Sequence, residues 1–455
     1  MKSTFITLFL ISSFQVFSQI QEGKIVEYKP QENVECVPKA LREQINLLLK
    51  ENLKKYPNSQ IPTLAHPLFI LPLRKTASLT DYDFYTIVNF VDQNSVVGPN
   101  PFNQYGSTNL DYNCGNRTYD TSTGYNHQGI DFTLYPFSWT KMENNEVEVI
   151  AAAGGTIIGK NDGNSSYSCG SNTGPNWNAV YVRHTDNSVA WYGHLKANTL
   201  TAKSVGSTVT QGEYLGVAGS SGSSSEPHLH FEVYDANNQL IDPFYGTCNT
   251  KNSDTWWQNQ LPYYNKVINA ITTHQIQPVV FQCPSTANYP NISTTLLKGV
   301  TDYFYFWGKN IQLNNTINVS IIRPNGTVFS TYNIIASGNY PTFYYWLSYN
   351  FPTTEPSGVW TVRAVFDGIT YNKTFNLYSP SDCLSVLDLV NPTDNFSTGT
   401  IIKQVNSTNG HISATNRISG NANVTYRAGN YIMLNSGFES ANGTVFKTES
   451  GGCSN

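Results

Sequence analysis

From about residue 110 to residue 245 the chain is a succession of short runs with β character. VEVIAAAGGTIIGK, AVYVRH, VAWYGHL, YLGVAGSSGSSS and HLHFEVYD follow one another, separated by Gly-rich turns and interrupted by no helix of useful length. Short alternating runs bounded by turn residues are the signature of paired strands, so this stretch predicts a compact antiparallel β domain.

The flanking regions read differently. Residues 37–56 carry Leu41, Ile45, Leu48 and Leu49 at helical spacing with Lys near the end, which predicts one helix. It lies in an N-terminal region, 19–109, that is a candidate pro-segment. WWQNQLP at 256–262 closes the β domain, whose expected bounds are 110–264, and a linker follows to about 280. From 280 to 380, NVSIIRPNGTVFS pairs across Pro-Asn-Gly and VWTVRAVFDGITYNKTF across Asp367-Gly368. Roughly seven strands in about 100 residues suggest an immunoglobulin-like β-sandwich. Residues 386–455 hold very short alternating runs at regular spacing, which suggest a small C-terminal β stack. The fold class is therefore mainly β.

At the start, Lys2 precedes an apolar stretch from Phe5 to Phe17, with Val16 and Ser18 suited to a cleavage point, so residues 1–18 read as a signal peptide. No later segment reaches the ~20 apolar residues of a membrane span. Charged residues make up 13% and aromatics 13%, with 29 Tyr, a composition that suits an extracellular β protein. A formal charge of −4 leaves no basic footprint for nucleic acid. Seven cysteines, Cys36, Cys114, Cys169, Cys248, Cys283, Cys383 and Cys453, predict disulfides in an exported chain, with one left over. None sits in a CxxC, which argues against a cysteine-built zinc site.

The chemistry lies in three stretches: NHQGIDF (126–132), WYGHL (191–195) and PHLHFEV (227–233). Four of the eight histidines, His127, His194, His228 and His230, fall in them. A hydrolytic zinc site needs three N/O ligands and one open position for water. His127-x3-Asp131 supplies a nitrogen and an oxygen close together. His228 and His230 lie two apart on a strand and so share a face, one able to bind metal and the other free to move a proton, while Leu229 and Phe231 point into the core. Either motif alone occurs by chance, and the argument rests on their conjunction. His184 precedes a turn and reads as structural, His66, His274 and His411 have no partner pattern, and Trp256-Trp257 reads as a domain cap.

HxxxD, then YGHL, then GSSGSSSEPHLHFE resembles the lysostaphin/β-lytic family of zinc endopeptidases over roughly residues 110–245, or from 65 to 262 at its widest. The resemblance implies a duplicated-hybrid-motif-like β domain, one Zn2+ per chain held by His127, Asp131 and His230, and His194 and His228 as non-ligand catalytic histidines, either of which could be the base. The stretch 160–178 is longer than in minimal members and suits a groove wall, and the Gly/Ser loop 219–225 suits close approach of an extended peptide. The function so implied is a secreted endopeptidase cutting Gly/Ala-rich peptides of bacterial peptidoglycan. The alternatives are a general extracellular metalloprotease acting on elastin-like protein and a non-catalytic wall-binding member. The tail resembles a β-stack module on secreted proteins of Bacteroidetes-type bacteria. Residues 280–455 are expected to localise the enzyme on a surface.

Overall fold

The computed structural model describes residues 21–22, 25–27, 35–57, 65–94, 108–121, 124–170, 176–280, 288–379 and 384–453. The expected signal peptide, Cys283 and Cys383 lie outside the described residues.

The β domain is built on an eight-stranded antiparallel sheet. Its path runs Thr208–Val209, Gly155–Asn161, Ala179–Arg183, Val189–Gly193, His228–Tyr234, Ile130–Leu134 and Tyr85–Asn89, with Leu240–Ile241 also paired to His228–Tyr234. A three-stranded sheet of Tyr214–Val217, Val147–Ile150 and Leu73–Lys75 packs beneath it. Between the two lies an apolar core that takes Leu229, Phe231 and Val233 from one face of the central strand, as alternation requires, together with Phe69, Trp256 and Trp257. The tryptophans cap the domain from inside its core. The domain starts before residue 110, since Leu73–Lys75 and Tyr85–Asn89 are strands of its two sheets.

The opposite face of the sheet is also covered. Helix α1, Lys39–Lys55, lays Leu41, Ile45 and Leu49 against Tyr181, Trp191 and Tyr234. The spacing of four residues makes one stripe along a helix; Leu48 falls at its margin and is 38% exposed. Lys54 and Lys55 close the helix at the end where its dipole favours cations. A six-residue helix α2, Ser138–Glu143, is the other helix among the described residues.

Two five-stranded sheets form the next unit. One contains Gln21–Glu22, Val26–Glu27, Tyr340–Asn350, Thr301–Ile311 and Val267–His274; the other contains Thr295–Leu297, Ile369–Tyr378, Gly358–Phe366, Thr316–Ile322 and Val328–Ile335. Phe304, Phe343 and Leu347 of the first meet Ile317, Trp360 and Phe375 of the second in one core. The stretch expected to be a linker up to about 280 is instead strand Val267–His274, because its β-branched run pairs along most of Thr301–Ile311. The two units are locked together. Tyr85 O accepts from Asn269 Nδ2 and from Lys309 Nζ, each at 3.0 Å, and Tyr135 and Phe137 pack on Trp307.

The tail pairs in parallel. His411–Ala414 lies between Val386–Leu389 and Tyr431–Leu434, and Asn423–Ala428 lies between Thr400–Gln404 and Val445–Ser450. Each coil stacks Ile412, Val424 or Tyr426 on its neighbours, the economy of a short solenoid.

Candidate active site

Three neighbouring strands converge on one spot. In the register, His230 faces Asp131 on one side and Gly193 on the other. His194 directly follows the strand ending at Gly193, and its backbone is left-handed, φ 61°. That is an uncommon conformation for a residue with a Cβ. The ring so placed lies 4.4 Å, centroid to centroid, from that of His228. Two glycines leave the room. A Cβ on Gly129 would overlap the His230 ring, and one on Gly193 would overlap Trp177, which packs edge-on against His194. His127 joins from the segment before Ile130–Leu134, its ring 5.2 Å from that of His230. None of His127, Asp131, His194, His228 and His230 is more than 2% exposed.

The hydrogen bonds fix how each ring is presented. His127 Nδ1–H donates to Phe90 O at 2.9 Å, which leaves Nε2 with a lone pair. His230 hydrogen-bonds carboxylates at both ring nitrogens, Nε2–H to Glu232 Oε2 and Nδ1–H to Asp131 Oδ1, each at 2.9 Å, so a metal at Nδ1 would displace a proton. His127 Nε2 lies 2.9 Å from Asp131 Oδ2 as an ion-pair contact and has no hydrogen bond of good geometry. A buried nitrogen with no hydrogen bond, beside a carboxylate that a second imidazole nitrogen also faces, is a donor set of the N/O type that zinc takes. In the metal-free site, burial opposes the His127 imidazolium but the Asp131 charge outweighs it, and the pKa rises to about 10. Metal and proton therefore compete for this atom.

The other two rings are presented alike. His194 Nδ1 donates to Ser221 O at 2.6 Å and His228 Nδ1 to Glu226 O at 2.8 Å. Each keeps Nε2 as a lone pair aimed toward the same centre, and burial holds the His194 pKa down.

Three further residues belong to the site and were not singled out in the sequence. Asn89 Nδ2 donates to Asp131 Oδ2 at 2.9 Å, steadying the carboxylate. Glu232 orients His230 and is itself paired with Arg42 of α1 and hydrogen-bonded by Tyr234. Burial raises its pKa, but Arg42 wins and brings it to about 2. The signal for Glu232 was in the alternation: His228, His230 and Glu232 share one strand face. The third is Cys36. It makes no disulfide, and its Sγ lies 3.1 Å from His194 Nε2 and 3.8 Å from His228 Nε2. Its Sγ and the ligand atoms of His127, Asp131 and His230 all lie within 4.8 Å of one another. The expectation that no cysteine would enter the site was drawn from the lack of a CxxC; a single thiol from a distant segment leaves no such motif. The remaining signal was the odd cysteine count. Among the others, Cys114 pairs with Cys248, and Cys169 and Cys453 are also disulfide-bonded.

Residues 125–243 match peptidase family M23. The chain carries an M23 peptidase domain. A 94-residue stretch is 33% identical to the cell division protein DipM of Caulobacter vibrioides, covering 21% of this chain and 15% of that protein. Among solved structures, the catalytic domain of the antimicrobial peptidase lysostaphin from Staphylococcus simulans is 28% identical, at a TM-score of 0.19, over 27% of this chain and 78% of that one. A zinc-containing peptidase from Vibrio cholerae is 19% identical, at a TM-score of 0.23, over 38% of this chain and 37% of that one. All five candidate residues lie inside the stretch matched to the M23 family, whereas Cys36 and Arg42 lie outside it.

Proposed function

We propose that the M23 domain is a zinc endopeptidase whose single metal is held by His127 Nε2, Asp131 and His230 Nδ1. The observation that carries this is the buried His127 Nε2, which has no hydrogen bond and sits beside Asp131, with His230 Nδ1 on the carboxylate's other oxygen. A zinc ion there supplies a Lewis acid and lowers the pKa of a water to about 7. His194 and His228 do the proton work. With Nδ1–H given to a backbone carbonyl, each Nε2 can take a proton from the attacking water and return it to the leaving amine, or, protonated, stabilise the oxyanion. Asn89 and Glu232 keep the ligands in register.

The substrate class we favour is the Gly/Ala-rich peptide of bacterial peptidoglycan, supported by the lysostaphin-like motif order. The disulfide Cys114–Cys248 supports action outside the cytoplasm, and no helix among the described residues is long and apolar enough to cross a membrane. Metal content tests the site: about one zinc per chain in the natural protein and none in His127→Ala or Asp131→Ala. Full occupancy in both variants sinks it. Incubation with peptidoglycan and with elastin, and identification of the new termini by mass spectrometry, separates the two substrate classes.

A further inference from the structure

We infer that Cys36 is a fourth protein ligand to the metal and that, with helix α1, it holds this chain in a latent form. The inference rests on the zinc site proposed above. Its basis is position. An open catalytic site has three protein ligands and a water; a fourth protein ligand closes it. The Sγ of Cys36 lies within 4.8 Å of the ligand atoms of the three proposed zinc residues, near enough to take that fourth position, and it faces both proposed proton-transferring nitrogens, 3.1 Å from His194 Nε2 and 3.8 Å from His228 Nε2. The same contact also covers the Nε2 of a candidate base, His194.

A second set of contacts, independent of the thiol, points the same way. The chain that follows Cys36 lies on the sheet beside the site. Arg42 reaches in to the buried Glu232 and Tyr234 and stacks over Trp191 at 5.5 Å, and it is flanked by the apolar stripe Leu41, Ile45 and Leu49 on Tyr181 and Trp191. Cys36 N donates to Tyr119 OH at 3.4 Å. Upstream, Val26–Glu27 is hydrogen-bonded as a strand to Phe343 and Tyr344 of the sandwich. The described parts of the chain on either side of Cys36 are thus both docked. This also separates two parts of the region 19–109. Residues around Cys36 and α1 cover the site, whereas Phe90 and Asn89 belong to it and cannot be lost with them.

Cobalt substitution of the full chain gives the test. Co2+ bound to a thiolate has a sulfur-to-metal charge-transfer band in the near ultraviolet that N/O ligands do not give. The natural chain should bind Co2+ and show the band, and Cys36→Ser should bind Co2+ without it. Cys36→Ser should also cleave a small soluble peptide at least about tenfold faster than the intact natural chain, because the fourth position is freed for water. Arg42→Met, which leaves the thiol in place, should raise the reactivity of Cys36 toward a thiol reagent in the zinc-loaded protein. Cobalt bound with no band in the natural chain overturns the inference and leaves the zinc site standing. No cobalt bound at all overturns both. A band that persists in Cys36→Ser assigns the sulfur elsewhere and also overturns it.

Discussion

Two sheets of this molecule bury histidines completely, and they use them in opposite ways. His274, in the sandwich, donates or accepts at both ring nitrogens, to Asn291 O at 3.0 Å and to Thr272 Oγ1 at 2.7 Å. Its neighbours are neutral, and burial pushes its pKa down to about 3. In the peptidase sheet, one nitrogen of each histidine is fixed and the other is left facing a shared centre with Asp131 among the partners. His184 is the intermediate case. Its Nδ1 is held by Gly154 O and its Nε2 has no hydrogen bond, yet it joins no cluster of three metal-binding side chains among the described residues. Burial therefore says little about a histidine's role; what its second nitrogen faces, and with what company, says most.

The sharpest way to break this comparison is to exchange the losses. His230→Ala should abolish zinc binding and all measurable turnover, while His274→Ala should leave metal content unchanged in whatever protein folds. Zinc lost from a folded His274→Ala, by elemental analysis, would erase the distinction. Next in size, His194→Ala and His228→Ala in a Cys36→Ser background should keep the metal and lose about 10²–10⁴-fold in kcat, the usual share of a general acid–base group. A variant that loses its zinc becomes a ligand instead. A smaller effect is expected at Glu232→Gln, where the partner of the His230 ring loses its charge: metal affinity should fall about 10–100-fold, read by competition with a chelating dye.

The smallest effect belongs to the sandwich. The folded pKa of His274 is depressed, so its stabilising effect is complete above the unfolded value of about 6.5. It is lost as pH falls toward about 3, at up to about 1.4 kcal/mol per pH unit. His274→Gln should flatten the fall in melting temperature over that window, and an unchanged slope in the variant counts against the assignment.

Much of the peptidase unit was legible because alternation is a local property. His228, His230 and Glu232 against Leu229, Phe231 and Val233 are one strand read by twos, and the helix at Lys39–Lys55 is one stripe read by fours. The parts that were not legible depend on distant pairing. Val267–His274 looked like a linker because its partner, Thr301–Ile311, is what makes it a strand. Cys36 had no local pattern at all; only the folded sheet brings it to His194, 158 residues away in sequence. The division between a cutting domain and a merely localising one also changes. Lys309 and Asn269 hydrogen-bond Tyr85 O, on the strand next to the one that carries Asp131, so a chain ending near residue 265 would strip partners from the peptidase sheet itself.

The strand Val26–Glu27 has a consequence in time. Its partners, Phe343 and Tyr344, are made more than 300 residues later. During synthesis the first segment of the chain must wait for nearly the whole of the rest before it can dock. Such a closure has a very long loop to bring together, and long-range pairing of this kind is the slow part of folding. The peptidase core, whose contacts lie between residues 69 and 257, can assemble earlier. The pairing thus ties the first described segment of the chain to a strand made more than 300 residues later.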